Sequence, residues 1–375
     1  MAFRPRLSSL GVVLALGAGC LLPVGAGAVT MTTAPVAFSG SASVSDTEGG
    51  GATTDTDRSL GSSAIAQFDS DLGVLMGATL NLSSTRTQTV WVTATAGGGT
   101  SANFDVTTNG QGASTARIVA PGVAADFSSV SASDSCTGKW KNDCTGTATS
   151  SPATATSLAG GVPDASLDSY VGSGTVTVAR SAPTLTASQL SGVFSGTETT
   201  TSTVTWAGTL GATYEYLLHA APSFGDEAGL LTLDLDFGDV FQGDLASQSF
   251  EIFNLGLDRV ALDLDSITGS GDVTRLFTDL SAFAGLVSGD GDSYRATLDT
   301  TALGSFTATY LLGFSDADVG AASSRRDFLL TLKLSGNVVA RQPDVRNSVP
   351  EPATFALFSL GIAAIPFVRR RRTPA

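Results

Sequence analysis

Histidine occurs once in this chain, at His219, and lysine only as Lys139, Lys141 and Lys333. Cysteine is confined to Cys20, Cys136 and Cys144. Only Cys136 and Cys144 stand close together, with no His beside them, so the compact Cys and His spacing of transition-metal sites is missing. A Ser-His-Asp triad would have to be built on His219 alone, and no Gly-x-Ser-x-Gly elbow accompanies it. The 20 basic residues face 34 acidic ones, so the Lys and Arg clusters that contact phosphate backbones are missing, and nucleic acid is excluded as a partner. The longest uncharged stretch near the C-terminus, 353–368, is sixteen residues, short of the ~20 that span a bilayer comfortably.

What is present begins at the two ends. Arg4 and Arg6 precede a run of Leu, Val, Ala and Gly over 7–24, and Ala26 and Ala28 stand at the −3 and −1 positions of a signal peptidase site. The pattern predicts a signal peptide over 1–28, read by the Sec translocon and signal peptidase, with a new N-terminus at Val29. Cys20 offers a competing reading as a lipoprotein cysteine, although the residues before it, Gly17-Ala18-Gly19, lack the upstream aliphatic residue that reading requires. At the other end stand Val349, Pro350, Glu351 and Pro352, then the uncharged span 353–368, then Arg369, Arg370, Arg371 and Arg372. Four consecutive arginines hold their end of such a span on the cytoplasmic side and leave the preceding chain outside. Between the two addresses, residues 29–348 keep 14 basic and 33 acidic side chains, a net charge of −19. That surface suits solubility outside a cell and repels acidic polymers unless divalent cations bridge them.

The order of motif, apolar span and arginine cluster resembles the PEP-CTERM sorting signal of Gram-negative bacteria that make extracellular polysaccharide. The resemblance implies recognition of Pro350-Glu351-Pro352 by an exosortase, a membrane-embedded cysteine transpeptidase. It further implies transient anchoring in the inner membrane, then release or attachment at the cell surface or in the extracellular matrix.

Between the ends the chain reads as all-β. Leu231, Leu233, Leu235 and Phe237 alternate with polar residues, as do Val260, Leu262 and Leu264; further alternating runs lie at 294–298, 306–312 and 328–334. With 250–253 and a weaker run near Val273, about seven strands are predicted within 231–340, each burying one face. Gly, Asp, Asn and Ser separate them. Seven short strands over ~110 residues suggest an immunoglobulin-like sandwich, with one helical turn allowed within 273–286. The first half is more diffuse. Strands are expected at 74–82, 87–95, 103–107, 117–120, 174–178, 201–206 and 214–219, while 39–63, rich in Gly, Ser, Thr and Asp, reads as loop. The segment 220–223 marks the boundary. The expected organisation is a signal peptide at 1–28, a β-domain at 29–222, a second β-sandwich at 223–342, and a sorting segment at 343–375 ending in a single hydrophobic helix.

Leu235-Asp236-Phe237-Gly238-Asp239-Val240 followed by Phe250-Glu251-Ile252-Phe253-Asn254 resembles a group of Ig-like surface modules. Phe68-Asp69-Ser70-Asp71-Leu72-Gly73 leading into Gly77-Ala78-Thr79-Leu80-Asn81-Leu82 resembles the opening of choice-of-anchor domains of the E type. The latter are extracellular and share no common activity.

Sites of chemistry are few. Cys136 and Cys144 read as a local disulfide in an oxidising compartment, since no further Cys or His stands nearby to complete a metal site. Asp290 with Asp292, Asp316 with Asp318, and Asp69 with Asp71 are close-spaced oxygens of the kind calcium takes; the best pair is Asp290 and Asp292, but no EF-hand loop surrounds any of them. Asp234 with Asp236 and Asp263 with Asp265 are explained by strand alternation before any glycosidase pairing is needed. Trp91, Trp140 and Trp206 suit either a sugar-binding surface or a core. The sequence therefore predicts a non-enzymatic structural or adhesive protein of an exopolysaccharide matrix, with no cofactor. The alternative is a secreted carbohydrate-binding protein or glycan-active enzyme.

Overall fold

The computed structural model describes residues 27–47, 51–97, 104–191 and 196–341. The expected signal segment up to Ala26, Cys20 and the whole sorting segment 343–375 lie outside them. The protein is all-β: among the described residues helix is limited to 3-10 turns at Asp164–Tyr170 and Ala322–Ser324. No helix there is long and apolar enough to cross a membrane.

The first half contributes β1 (Val29–Thr32), β2 (Val36–Thr47), β3 (Thr53–Ala66), β4 (Val74–Ala94), β5 (Asp105–Ala120), β6 (Val123–Lys139), β7 (Cys144–Thr145), β8 (Thr149–Ser150), β9 (Thr154–Gly161), β10 (Thr175–Ser191) and β11 (Glu198–Leu217). A seven-stranded sheet is built on the long β4–β11 pair, with β1 and β2 on the far side of β11 and β7, β8 and β9 along β4. A four-stranded sheet runs β3-β10-β5-β6. Alternation drives both: even-numbered residues of β4 and β11 are buried and odd-numbered ones face water over most of their length. The main core gathers Phe38, Leu80, Ile118, Leu185, Trp206 and Tyr214 among others.

Two expectations for this half are corrected. Residues 39–63 are mostly strand, not loop: β2 pairs with β11 over twelve residues and β3 pairs with β10. Their polar residues face outward except Asp46, while Phe38, Val44, Leu60 and Ile65 are buried. The predicted pairs 74–82 with 87–95, 103–107 with 117–120, and 201–206 with 214–219 are each a single long strand.

The second half contributes β12 (Pro222–Ser223), β13 (Thr232–Phe241), β14 (Ala246–Asn254), β15 (Leu262–Gly271), β16 (Leu276–Thr278), β17 (Phe283–Leu286), β18 (Gly291–Leu298), β19 (Gly304–Asp316) and β20 (Asp327–Val339). They form a sheet β12-β14-β18-β16 and a sheet β13-β20-β19-β15-β17, antiparallel except for the parallel β13–β20 pair. Both sheets feed a second core including Phe250, Ile252, Leu262, Leu312, Phe314 and Leu332. The turn expected after Val273 is present, with the Leu276 N–H donating to the Asp272 carbonyl at 2.9 Å.

Candidate functional site

The junction between the halves concentrates the buried polar groups the sequence singled out. Val74, at the start of β4, packs into the second core, and Ala321 from the second half packs into the first. Leu75 ties the two backbones: its N–H donates to Ser324 Oγ (3.0 Å) and its carbonyl accepts from the Ala321 N–H (2.8 Å). His219 follows β11 at this seam and is 8% exposed. Its Nδ1 lies against Asp316 Oδ2 and its Nε2 against the Ser70 carbonyl oxygen, both at 2.7 Å. Asp316, 1% exposed, also accepts from the Ala220 and Arg326 N–H groups, each at 2.8 Å. Arg326 pairs with Asp71 across the same seam. Asp168, from the first 3-10 turn, accepts from the Ser323 N–H (2.9 Å) and hydroxyl (2.8 Å), which hold its carboxyl below the usual range.

Several residues considered for chemistry therefore have structural employment. A base needs a free nitrogen facing a nucleophile, and neither nitrogen of His219 does so. Asp316 and Asp318 part company, one buried under His219 and the other paired with Arg325. Asp69 accepts the Asp71 N–H at 2.9 Å. Asp290 and Asp292 are exposed beside the start of β18, and no group of three or more His, Cys, Asp or Glu able to hold a metal occurs among the described residues. Asp236 accepts from the Gly238 N–H and then the Ser335 hydroxyl, which lower its pKa, and Asp263 accepts from the Gly285 N–H. Lys139 pairs with Asp105, and Lys333 stands 3.5 Å from Asp234.

Sequence reasoning missed a polar seam inside the first half. Arg86, 1% exposed, donates to the Ser128 carbonyl (2.7 Å) and Thr156 Oγ1 (3.3 Å), with Nη1 unpartnered. Arg180, 3% exposed, lies over the Phe38 ring at 4.1 Å. Burial pushes both guanidinium pKa values down, and neither makes a salt bridge among the described residues. Beyond Arg86, Gln88 donates to Ser202 Oγ and accepts from Ser114 Oγ, both at 2.6 Å, and Thr108 donates to Glu198 (2.7 Å). Cβ atoms on Gly110 and Gly112 of β5 would collide with Thr200 and Ser202, so glycine lets the sheets close here. Past the seam lies a small third core of Val90, Val92, Ala94 and Val106, sealed by the Cys136–Cys144 disulfide that ties β6 to β7.

The three tryptophans divide. Trp206 is fully buried, its Nε1–H donating to Ser84 Oγ at 2.8 Å; Trp140 is partly buried against Phe104; Trp91 is 45% exposed on β4. Cys20, Ala26, Val349–Pro352 and Arg369–Arg372 lie outside the described residues.

A comparison with curated proteins finds no match to the chain. Residues 348–372 match the PEP-CTERM protein-sorting motif, over the same residues that the sequence marked as motif, span and basic cluster. The chain thus carries the address of an exported, cell-surface-directed protein that an exosortase recognises.

Proposed function

We propose that this is a non-enzymatic structural or adhesive protein of a Gram-negative exopolysaccharide matrix. It is exported through the Sec translocon, trimmed by signal peptidase after Ala28, held transiently in the inner membrane by a helix over 353–368, and released by an exosortase. Its mature body is two β-sandwiches, 29–222 of choice-of-anchor type and 223–342 Ig-like. The observation that carries the reading is the sorting motif at 348–372. The engagement of both His219 nitrogens and the structural use of the junction carboxylates favour a role without catalysis. No cofactor is needed; calcium at Asp290 and Asp292 would be accessory.

The test is intact mass and fractionation of the native protein beside a variant with Pro350, Glu351 and Pro352 all replaced by Ala. The expected native form starts at Val29, ends near Pro350 and fractionates with matrix, while the variant keeps its tail in the inner membrane. A native protein that keeps its tail, or a variant processed like it, overturns the sorting step. Normal processing without matrix association overturns the role.

A further inference from the structure

The outer face of the seven-stranded sheet has a chemistry unlike the rest of the surface. Outward residues of β2 from 37 to 47, of β4 from 79 to 93 and of β11 from 199 to 213 include no charged side chain, within a segment whose net charge is −19. Of these 22 positions, 17 are Ser or Thr. Register aligns them into rows across the strands: Ser43, Thr203, Thr89 and Ser150 form one row, with hydroxyl pairs at 2.8 Å at both ends. The next row is Ser45, Thr201 and Trp91, with Ser45 and Thr201 2.9 Å apart. Rows repeat about every 7 Å along the strands and hydroxyls about every 5 Å across them. Trp91 stands within this grid, 45% exposed. The outer side of the opposing sheet instead displays the exposed ion pairs Arg117–Asp126, Lys139–Asp105 and Arg58–Asp55.

The geometry points to this face as a binding surface for a neutral polysaccharide strand, with Trp91 as the stacking platform and the flanking hydroxyl rows as the hydrogen-bonding bed. An aromatic ring offers an apolar plane to the C–H face of a sugar, while Ser and Thr donate to and accept from its hydroxyls. An acidic glycan would be repelled by the body of the protein, and a cationic partner finds only Glu215, at the end of β11 beyond the hydroxyl rows. A protein partner of standard affinity would need a larger apolar centre than one tryptophan among hydroxyls. The inference rests on the proposed matrix role and names the ligand class for it.

The test is native electrophoresis of the processed protein through gels containing hydroxyethylcellulose, galactomannan or polygalacturonate. Retardation is expected in at least one neutral polymer and absent in polygalacturonate. Trp91→Ala, and separately Thr203→Glu, should weaken it about tenfold, while Trp140→Ala leaves it unchanged; circular dichroism verifies that each variant is folded. No retardation by either neutral polymer, retardation that survives Trp91→Ala, or equal retardation by polygalacturonate overturns the inference. So does sedimentation showing that Trp91→Ala dissolves a self-associated species while glycan binding is absent. Retardation by a protein missing from the host matrix strikes the proposed role and leaves the face standing; matrix association without retardation does the reverse.

Discussion

Asp316 is the single side chain on which the junction most depends, and Asp316→Ala is the sharpest perturbation of it. The substitution removes the acceptor for three groups, His219 Nδ1 and the Ala220 N–H, both buried, and the part-buried Arg326 N–H. Each stranded donor costs about 1–3 kcal/mol. Relaxation and entering water offset part of that sum, so the expected loss is about 3–5 kcal/mol, the range for removing one partner of a buried pair. Asp316→Asn keeps the volume and one acceptor oxygen, and should lose roughly half as much. The assay is urea unfolding followed by circular dichroism and by tryptophan fluorescence; Trp91, Trp140 and Trp206 all report on the first half. A cycle with His219→Ala then isolates the pair, with a coupling energy of about 2 kcal/mol expected. A loss under about 1 kcal/mol for Asp316→Ala, or strict additivity with His219→Ala, would refute the reasoning that this contact joins the halves.

Three further outcomes follow from packing and titration. Reducing the Cys136–Cys144 bridge, or replacing both residues with Ser, should lower stability by about 2–3 kcal/mol, the loop-entropy value for so short a loop, read as a shift of the urea midpoint with and without reductant. Gly112→Leu should cost about 3 kcal/mol, because its side chain would enter the space held by Ser202; thermal unfolding measures it, and a neutral result would mean that the sheets spread freely there. Tyr214, fully buried, has its pKa pushed up to about 12 by burial, with Tyr170 adding to the rise. Its folded value lies above its unfolded value near 10, so its contribution is complete below pH 10 and is lost as pH climbs toward 12. Stability should fall by about 2 kcal/mol over that window, and less in Tyr214→Phe, as judged by urea titration at stepped pH.

The strands of the second half were legible because their buried positions are apolar with few exceptions: Leu330, Leu332 and Leu334 on β20, and Phe250 and Ile252 on β14. The first half hid its strands because it buries polar groups at mid-strand. On β4 the inward series runs Leu80, Leu82, Ser84, Arg86, Gln88, Val90, so a search for alternating apolar residues breaks where the strand does not. Glu198, Thr200 and Ser202 obscure β11 in the same way, and Gly40, with only small side chains around it, obscures β2. The disulfide was readable from two cysteines left in an oxidising compartment. The His219–Asp316 contact was not, because 97 residues separate partners whose meeting depends on how the two halves dock. The hydroxyl face was invisible for a related reason: Ser and Thr at alternate positions look like loop composition until register sets four strands side by side.

The parallel pairing of β13 with β20 fixes how the protein bears a load. The first half docks at the end of the second where β20 begins, around Asp316 and Ser324, and the chain leaves from the opposite end, past Val339. Over its thirteen residues β20 covers about 40 Å, so a tether on the C-terminal side would hold the first half at least that far from its point of attachment. Tension between the two poles pulls along β13 and β20 rather than across them. Their hydrogen bonds are then strained together, in shear, instead of opening one after another as a zipper does.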